Sequence, residues 1–488
     1  MASYPSRAEA EPGGATLIRG LGPVSAYSVV VGSVLATGVF IQARAVVCQV
    51  STPATAIAVW VGAGLLSFAG ALIYAELATM WPRAGGEYVF LREAYGPLWG
   101  FLYGWMRFFI ANSGGQAALV VAFTLFLNAA TGGTLDVPFF SPSVFGYQIR
   151  FGSLQAIALG VIAVSTLINC APVVANGLLA AVIAVTKLAL VVSLTAFVLL
   201  SAGGDWGHLT TPNSGGLCEG VVDAGGGYYG FGLATLGALW AYNGWYGLTL
   251  VAGEVRDPQR NIPLALVGGM ATIILVYVVV NLTYFYVLTP TEIANVPPDS
   301  SVGMEVSQRL FGDTGRRVIA ALLAASSFGA LHVGIMTNAR LPYAMARDRL
   351  FFSSYERLSP RTRVPVKALL MQAQWTSVLA LASSLTALTE YVMFGAWIFF
   401  GLGGASVFVL RRKMPHAARP FRVWGYPFVP ALFVLCTALL LANALVTRPG
   451  QSLVSLGLLA LGLPAYWYWK RKHRTEPGEG AEVSRKDD

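Results

Sequence analysis

Charge is scarce in this sequence, and that scarcity settles the first question. Asp, Glu, Lys and Arg make up 11% of the 488 residues, against 56% hydrophobic residues. A water-soluble chain of this length needs more charge to cover its surface, so the chain reads as an all-α polytopic membrane protein. Histidine is scarcer still: there are four, of which His332 alone lies in an apolar stretch. No acidic pair falls at helical spacing inside such a stretch. A metal centre or a hydrolytic site therefore finds no ligand set or paired carboxylates, and no cofactor is implied. The four cysteines, Cys48, Cys170, Cys218 and Cys436, have neither metal nor redox spacing and read as apolar filler or loop residues. A phosphate-binding loop is missing, which speaks against ATP-driven work by this chain. Alternating barrel-type segments are missing too. The stretch MASYPSRAEAEPGG lacks the apolar core of a signal peptide. It and EPGEGAEVSRKDD read as disordered cytoplasmic tails.

What is present is long apolar runs. At about 20 residues per span, twelve transmembrane helices are expected, at 23–45, 54–80, 99–130, 153–171, 178–201, 228–252, 263–289, 316–344, 366–386, 391–411, 427–446 and 451–469. Lys and Arg fall mostly in the segments that share a side with the N-terminus, from Arg7 and Arg19 to the cluster after Lys470. The other side holds only Arg44, Arg150, Arg309, Arg316, Arg317 and Arg448. That bias places both termini in the cytoplasm. It also explains the net charge of +9 without nucleic acid, because the basic residues are spread over many short loops.

The first span carries GSVLATGVF at its centre. Gly32 and Gly38 each weaken a helix by about 1 kcal/mol relative to alanine, and Ser33 and Thr37 can bond backbone groups that a break sets free. If the helix unwinds here, the N–H groups of Thr37 and Gly38 start a new half-helix able to hold a carboxylate. The carbonyls ending the other half, such as that of Val34, can accept from an ammonium. Close packing of small residues is the other reading of this stretch. The sixth span has a counterpart, WAYNGWYG at 240–247, with Asn243 and Gly244 among aromatics that could cover a ligand or simply pack. Paired interruptions in corresponding spans of two five-helix halves point to an inverted-repeat transporter with helices 1 and 6 discontinuous.

Lys187 lies roughly nine residues into the fifth span, about 13 Å along its axis. An ionisable residue so deep should face the bundle interior and pair with carbonyls or give up its proton, unless it merely pins two helices. Arg107 and Arg340 sit nearer span ends and read as structural, with Glu76 as a partner for Arg107. His332 reads as a hydrogen-bonded packing residue.

Four ordered stretches resemble the amino acid–polyamine–organocation transporters, closest to their L-type branch and its bacterial relatives. They are GALIYAELATMWPRAGGEYVFLREAYGPLWGFLYGW (70–105), EVRDPQRNIPLAL (254–266), SSFGALHVGIMTNARLPYAMARDRLF (326–351) and LRRKMPHAARPFRVWGYPFVPALFVL (410–435). The resemblance implies a LeuT-type fold of two inverted five-helix repeats plus two extra helices. In this sequence a tail would occupy 1–22, the repeats 23–201 and 228–411, the extra helices 427–469 and a second tail 470–488. It also implies substrate-binding positions at Val34, Ala36, Thr37, Gly38, Trp240, Ala241, Asn243 and Gly244. The backbone of Thr37 and Gly38 would take a carboxylate, and the carbonyls of Val34, Trp240, Ala241 and Asn243 an amino group. Lys187 matches the lysine that stands in place of a sodium ion in sodium-independent members. Departures from the pattern are Ala36 for the first motif glycine, Trp240 for a gating Phe, Asn243 for a frequent Gly and His332 for Asn. The loop at 132–152 has no cysteine, so no disulfide-linked heavy-chain partner is expected.

The expected function is sodium-independent secondary transport of neutral L-amino acids in a plasma or bacterial inner membrane, by exchange, uniport or proton symport. Cationic amino acids or polyamines are the rival substrates, although spans one, three and six hold no acidic residue. A sensor that binds an amino acid without moving it is the rival class. An enzyme is not expected.

Overall fold

The computed structural model describes residues 16–50, 52–140, 143–144, 147–148, 151–200, 203–212, 215–221, 226–382 and 385–472. The far parts of the two expected tails, 1–15 and 473–488, lie outside these. Within them the chain is a bundle of helices whose order is α1 (Pro23–Val34), α2 (Gly38–Gln49), α3 (Pro53–Met80), α4 (Glu87–Tyr95), α5 (Pro97–Met106), a π-turn at Arg107–Asn112 and α6 (Ser113–Ala130). Then come α7 (Ser153–Asn169), α8 (Val173–Leu200), α9 (Gly227–Ala241), α10 (Gly247–Leu250), α11 (Pro258–Val287), α12 (Pro290–Ala294), α13 (Val302–Asn338) and α14 (Arg340–Arg347). The last are α15 (Val366–Ala382), α16 (Leu385–Lys413), α17 (Phe428–Thr447), α18 (Pro449–Ala460) and α19 (Gly462–Lys472). Among the described residues nine helical segments are long and apolar enough to cross a membrane, and α7 is a shorter apolar one.

Local chemistry explains where these helices begin. α3 opens on Thr52, whose hydroxyl accepts from the Thr55 N–H, with Pro53 at the first helical position, where its missing N–H costs nothing. α12 starts the same way at Thr289 and Glu292. α13 is interrupted at Gly312, where φ is +64° and a side chain would be strained.

The burial pattern runs opposite to that of a soluble bundle. On α8, Val174, Leu178, Val182, Val185 and Val192 recur at helical spacing and are about half exposed. The opposite face, with Ala180, Ala184 and Lys187, is buried. Apolar side chains thus meet the hydrocarbon while small residues and the one cation turn inward. Gly32 shows how close the elements come: a Cβ there would lie 3.6 Å from that of Ala184, so α1 and α8 touch almost backbone to backbone.

The two ends of the bundle differ chemically. At one end Cys48, in the last turn of α2, is bonded to Cys218, 170 residues further on. The reading of these two as filler is corrected. Arg44 one turn earlier donates to the carbonyls of Val296 (3.0 Å) and Glu219, so the 215–221 segment lies across the end of α2 and brings the cysteines together. Cys170 and Cys436 are free thiols.

At the opposite, basic end, buried ion pairs tie the helices. Arg340 opens α14 and grips Glu254 with two bonds of 2.6 and 2.9 Å. Glu76 is not the partner of Arg107. Its carboxylate takes Arg411 at 2.7 and 3.0 Å and the Val423 N–H at 2.7 Å, so it is fully used by the chain around α16 and α17. Arg107 instead pairs with Glu87 at 3.3 Å, because α4 folds back along α5 and delivers its first residue there. Leu21 is part of this end: its N–H reaches the Glu254 carbonyl and its own carbonyl accepts from Arg256, both at 2.9 Å.

The Arg340–Glu254 pair yields a test. Arg340→Met should lower stability by about 3–5 kcal/mol, because it strands a buried carboxylate. Adding Glu254→Leu should recover most of that loss. Thermal melting of the purified variants in detergent reads both, and a double variant no better than the single one would show that the carboxylate is not the problem.

Candidate functional site

The first apolar stretch is broken. α1 ends at Val34, residues 35–37 are non-helical, and α2 begins at Gly38. The sixth is broken likewise, with 242–246 in turns between α9 and α10. The two breaks face each other. A Cβ on Gly38 would stand 2.5 Å from the Ala241 Cα and 3.4 Å from the Trp240 ring. A Cβ on Gly244, where φ is +120°, would stand 2.9 Å from the Ser33 Cβ. Each break thus has one position where only glycine fits. Val34, Ala36, Thr37, Gly38, Trp240, Ala241, Asn243 and Gly244 are thereby gathered into one place.

A broken helix in an apolar surrounding frees carbonyls and N–H groups that must find partners inside the protein. The carbonyls find them. Lys187 Nζ donates to Leu35 O at 2.9 Å and to Gly32 O at 3.3 Å, and the Ser326 hydroxyl adds a bond to Leu35 O at 3.3 Å. The Tyr277 hydroxyl lies 2.6 Å from Val34 O and 3.1 Å from Ala241 O, the last carbonyls of α1 and α9. Ala36 turns its own N–H back onto Val34 O at 2.7 Å, so that amide is not free for a ligand.

The amides at the start of α2 are left otherwise. Among the described residues no backbone carbonyl accepts from the N–H groups of Thr37 or Gly38. Two buried side-chain atoms beside them, Thr37 Oγ1 and Asn243 Oδ1, likewise have no partner there. Ser33 was expected to serve a freed group; it bonds instead within its own helix, to Val29 O at 2.6 Å. The site therefore offers unfilled amide donors on one side and carbonyl acceptors held by protein donors on the other. That arrangement fits a zwitterion, whose carboxylate takes the amides and whose ammonium competes for the carbonyls.

Towards the basic end the site is packed shut. The Arg107 guanidinium lies over the rings of Tyr246 (4.1 Å) and Phe400 (4.6 Å), and the Tyr246 hydroxyl donates to Asn112 Oδ1 at 3.1 Å. His332 sits apart from the breaks and is used in packing, its Nδ1 3.1 Å from the Asn169 amide. Among the described residues no group of three His, Cys, Asp or Glu side chains is placed to hold a metal.

Sequence reasoning missed Tyr277 and Ser326. Both are uncharged residues on apolar helices, and nothing in their spacing sets them apart from packing. The signal that could have found them is the number of orphan carbonyls a double break creates, which exceeds what one lysine can serve.

Comparison with known proteins bears on this geometry. A model of the family described as "Amino acid permease" matches residues 21–460. The serine/threonine exchanger SteT of Bacillus subtilis (strain 168) is 29% identical over 458 residues, which is 93% of this chain and 97% of that protein. The human b(0,+)-type amino acid transporter 1 is 27% identical over 442 residues, 90% of this chain and 85% of that protein. The human cystine/glutamate transporter is 27% identical over 464 residues, 94% of this chain and 86% of that protein.

The contacts between the breaks can be tested without any ligand. Gly38→Ala and Gly244→Ala should each destabilise the protein by about 1–3 kcal/mol through overpacking against backbone. Gly62→Ala, on the lipid side of α3, has no atom within 4 Å of its new methyl and should melt no lower than wild type. Gly38→Ala and Gly244→Ala melting no lower than wild type would mean that the breaks do not touch.

Proposed function

The chain belongs to the amino acid permease family and is a multi-pass membrane transporter of amino acids, and within that frame we propose a sodium-independent exchanger of neutral L-amino acids working by alternating access. The observation that carries this reading is the pair of facing breaks with unfilled amides on one side and donor-held carbonyls on the other. A free amino acid carries the two charges such a site can hold, and its side chain would lie against Trp240 and the aromatics that follow it.

Transport without sodium is supported by Lys187. Its amino group occupies the carbonyls of Gly32 and Leu35, which are the oxygen ligands that a monovalent cation would otherwise draw on. Exchange is supported by the similar bacterial protein that is named an exchanger. Neutral substrates are supported by the absence of any acidic side chain from the gathered site residues. In the LeuT-type arrangement proposed here, the nine long segments and the shorter α7, α9–α10 and α15 make up twelve spans, with both termini cytoplasmic. The packed basic end is then the closed inner gate. Opening it requires the Arg107 stack, the Arg340–Glu254 pair and the tie between Leu21 and Glu254 to shift relative to their neighbours.

The experiment is uptake by purified protein in liposomes. A labelled neutral amino acid should enter in sodium-free buffer, faster when unlabelled amino acid is loaded inside; binding with no uptake under any gradient would favour a sensor. Lys187→Ala should cut the rate about tenfold or more, the equivalent of one lost charge-assisted hydrogen bond, while the variant still elutes as a single species. Trp240→Phe should admit larger side chains, and an unchanged substrate ranking would take Trp240 out of the pocket.

A further inference from the structure

We propose that the groove between α7 and α8 is a phospholipid site, in which an acyl chain lies along α8 behind the first break and the phosphate meets Arg316 at the disulfide end. The site is independent of the transport reading: it holds a lipid whether or not the protein moves an amino acid.

Helices joined by a short turn commonly pack as an antiparallel pair. α7 and α8 are joined through residues 170–172, yet they touch each other little and both lean on α13 instead. The space left between them is a cavity of about 760 Å3. Its mouth faces the hydrocarbon, because Gly160 and Val164 of α7 and Val182 and Leu190 of α8 line it and are exposed. Val182 belongs to the apolar stripe that α8 turns outward. The floor is buried and consists of Ile319 and Leu323 of α13 with Val198 of α8. Lys187 and Ser326 line the floor as well. They are the two residues that serve Leu35 O, so the groove is the back wall of the first break.

The lining decides what can fill this space. A buried water needs two to four polar partners, and an apolar cavity of roughly 150 Å3 stays dry and takes up benzene instead. This cavity is about five times larger than that. In its deep part Leu179, Ile183, Ala325 and Phe328 are apolar, while Lys187 and Ser326 are already bonded to carbonyls. The occupant that such walls favour is a hydrocarbon chain from the bilayer onto which the groove opens. Direction agrees. The lining runs along α8 from Leu179 to Val198, about 28 Å at 1.5 Å per residue, close to the roughly 30 Å of a hydrocarbon core. The groove therefore stands along the bilayer normal, as acyl chains do.

Polarity along the groove identifies the rest of the molecule. Thr195, Thr283 and Ser307 line its disulfide end. Tyr284 lines the same end, is 4% exposed, and its hydroxyl has no partner among the described residues. Arg316 stands one turn before Ile319 on α13 and donates to Gln308, the neighbour of Ser307, at 3.3 Å. The groove thus passes from a cation through hydroxyls to hydrocarbon, the order of phosphate, ester and chain in a phospholipid. A chain seated there packs on the aliphatic stem of Lys187 and keeps water from the bonds that its amino group makes to α1.

The test uses the full chain purified in detergent and compares wild type with Gly160→Trp and Gly62→Trp. Both glycines have open space for a side chain, but of the two only Gly160 lines the groove, so an indole there takes the place of the lipid chain. Native mass spectrometry should find a retained phospholipid on wild type and on Gly62→Trp, and at least fivefold less on Gly160→Trp. Dioleoylphosphatidylglycerol added to delipidated protein should raise the melting point of wild type and Gly62→Trp but not of Gly160→Trp. Arg316→Ala should need about threefold more of that lipid for the same rise. Equal retention by all variants, as for bulk lipid around any span, overturns the proposal. So does an unchanged lipid requirement in Arg316→Ala, or a melting point raised by cholesteryl hemisuccinate and not by the phospholipid, which would make a sterol the occupant. If Gly160→Trp does not fold, phosphatidylglycerol with a diazirine on its acyl chain serves with wild type. It should label the groove faces of α7 and α8 in preference to the exposed Leu435 and Leu439 of α17, and even labelling overturns the proposal. None of these readouts requires uptake, so their failure leaves the transport reading standing.

Discussion

In hydrocarbon, a carbonyl that loses its helical partner has no water to turn to, and an unpaired one costs about 1–3 kcal/mol. This constraint organises the structure. The chain opens two helices at 35–37 and 242–246, and the freed oxygens of Gly32, Val34, Leu35 and Ala241 must be served from elsewhere. Three helices bring the donors: α8 carries Lys187, α11 carries Tyr277 and α13 carries Ser326. Each of them packs on α1. The apolar stripe on the far face of α8 and the buried small residues on its near face follow from the need to hold one amino group against α1 at that depth.

Close approach is the second consequence. Donors and acceptors meet at hydrogen-bond distance only if the helix axes come unusually near, so side chains at the crossings must be small. Gly32 against Ala184, Gly38 against Ala241 and Gly244 against Ser33 meet that condition. Gly329 does the same for Lys187 from α13, where a Cβ would come 3.0 Å from the lysine Cε. The polar and glycine content of the two breaks is thus both the reason the helices part and the reason the parted ends can be serviced.

The residues that break a rule were legible in the sequence, and those that obey one were not. Glycine, serine and threonine in mid-span conflict with a stable helix, and a lysine conflicts with hydrocarbon, so GSVLATGVF, WAYNGWYG and Lys187 stood out. Tyr277 breaks no rule: an aromatic in an apolar helix is ordinary, and only its position relative to two distant carbonyls gives it a role. Arg107 was recognised as needing an acid, but Glu76 and Glu87 are both near in sequence and only the fold-back of α4 onto α5 decides between them. Cys48 and Cys218 carry no spacing signal, since 170 residues separate them and a loop crossing unites them. Ala36 lies inside the first break. Its N–H closes on Val34 O at 2.7 Å, so the amides of the break without a backbone acceptor among the described residues are those of Thr37 and Gly38.

The two sides of the site are therefore unequal in the bonds the protein itself supplies, and the inequality has a physical origin. Protein donors that can fill carbonyls are neutral or carry one amino group, and both are tolerated in a buried site when bonded. A protein acceptor able to fill the amides at the start of α2 as well as a substrate does would be a carboxylate, whose burial without a full set of partners costs several kcal/mol. None of the gathered site residues is acidic. On the proposed reading a substrate carboxylate would complete the amide side, whereas the carbonyl side is already served by Lys187, Tyr277 and Ser326. A ligand that brings only an amino group gains little, because it trades one donor for another. A ligand that brings only a carboxylate gains the amides but leaves the carbonyls as they were. On the transport reading proposed above, an amino acid would meet both sides at once, and a selectivity for zwitterions would arise from that difference between the two ends of a broken helix.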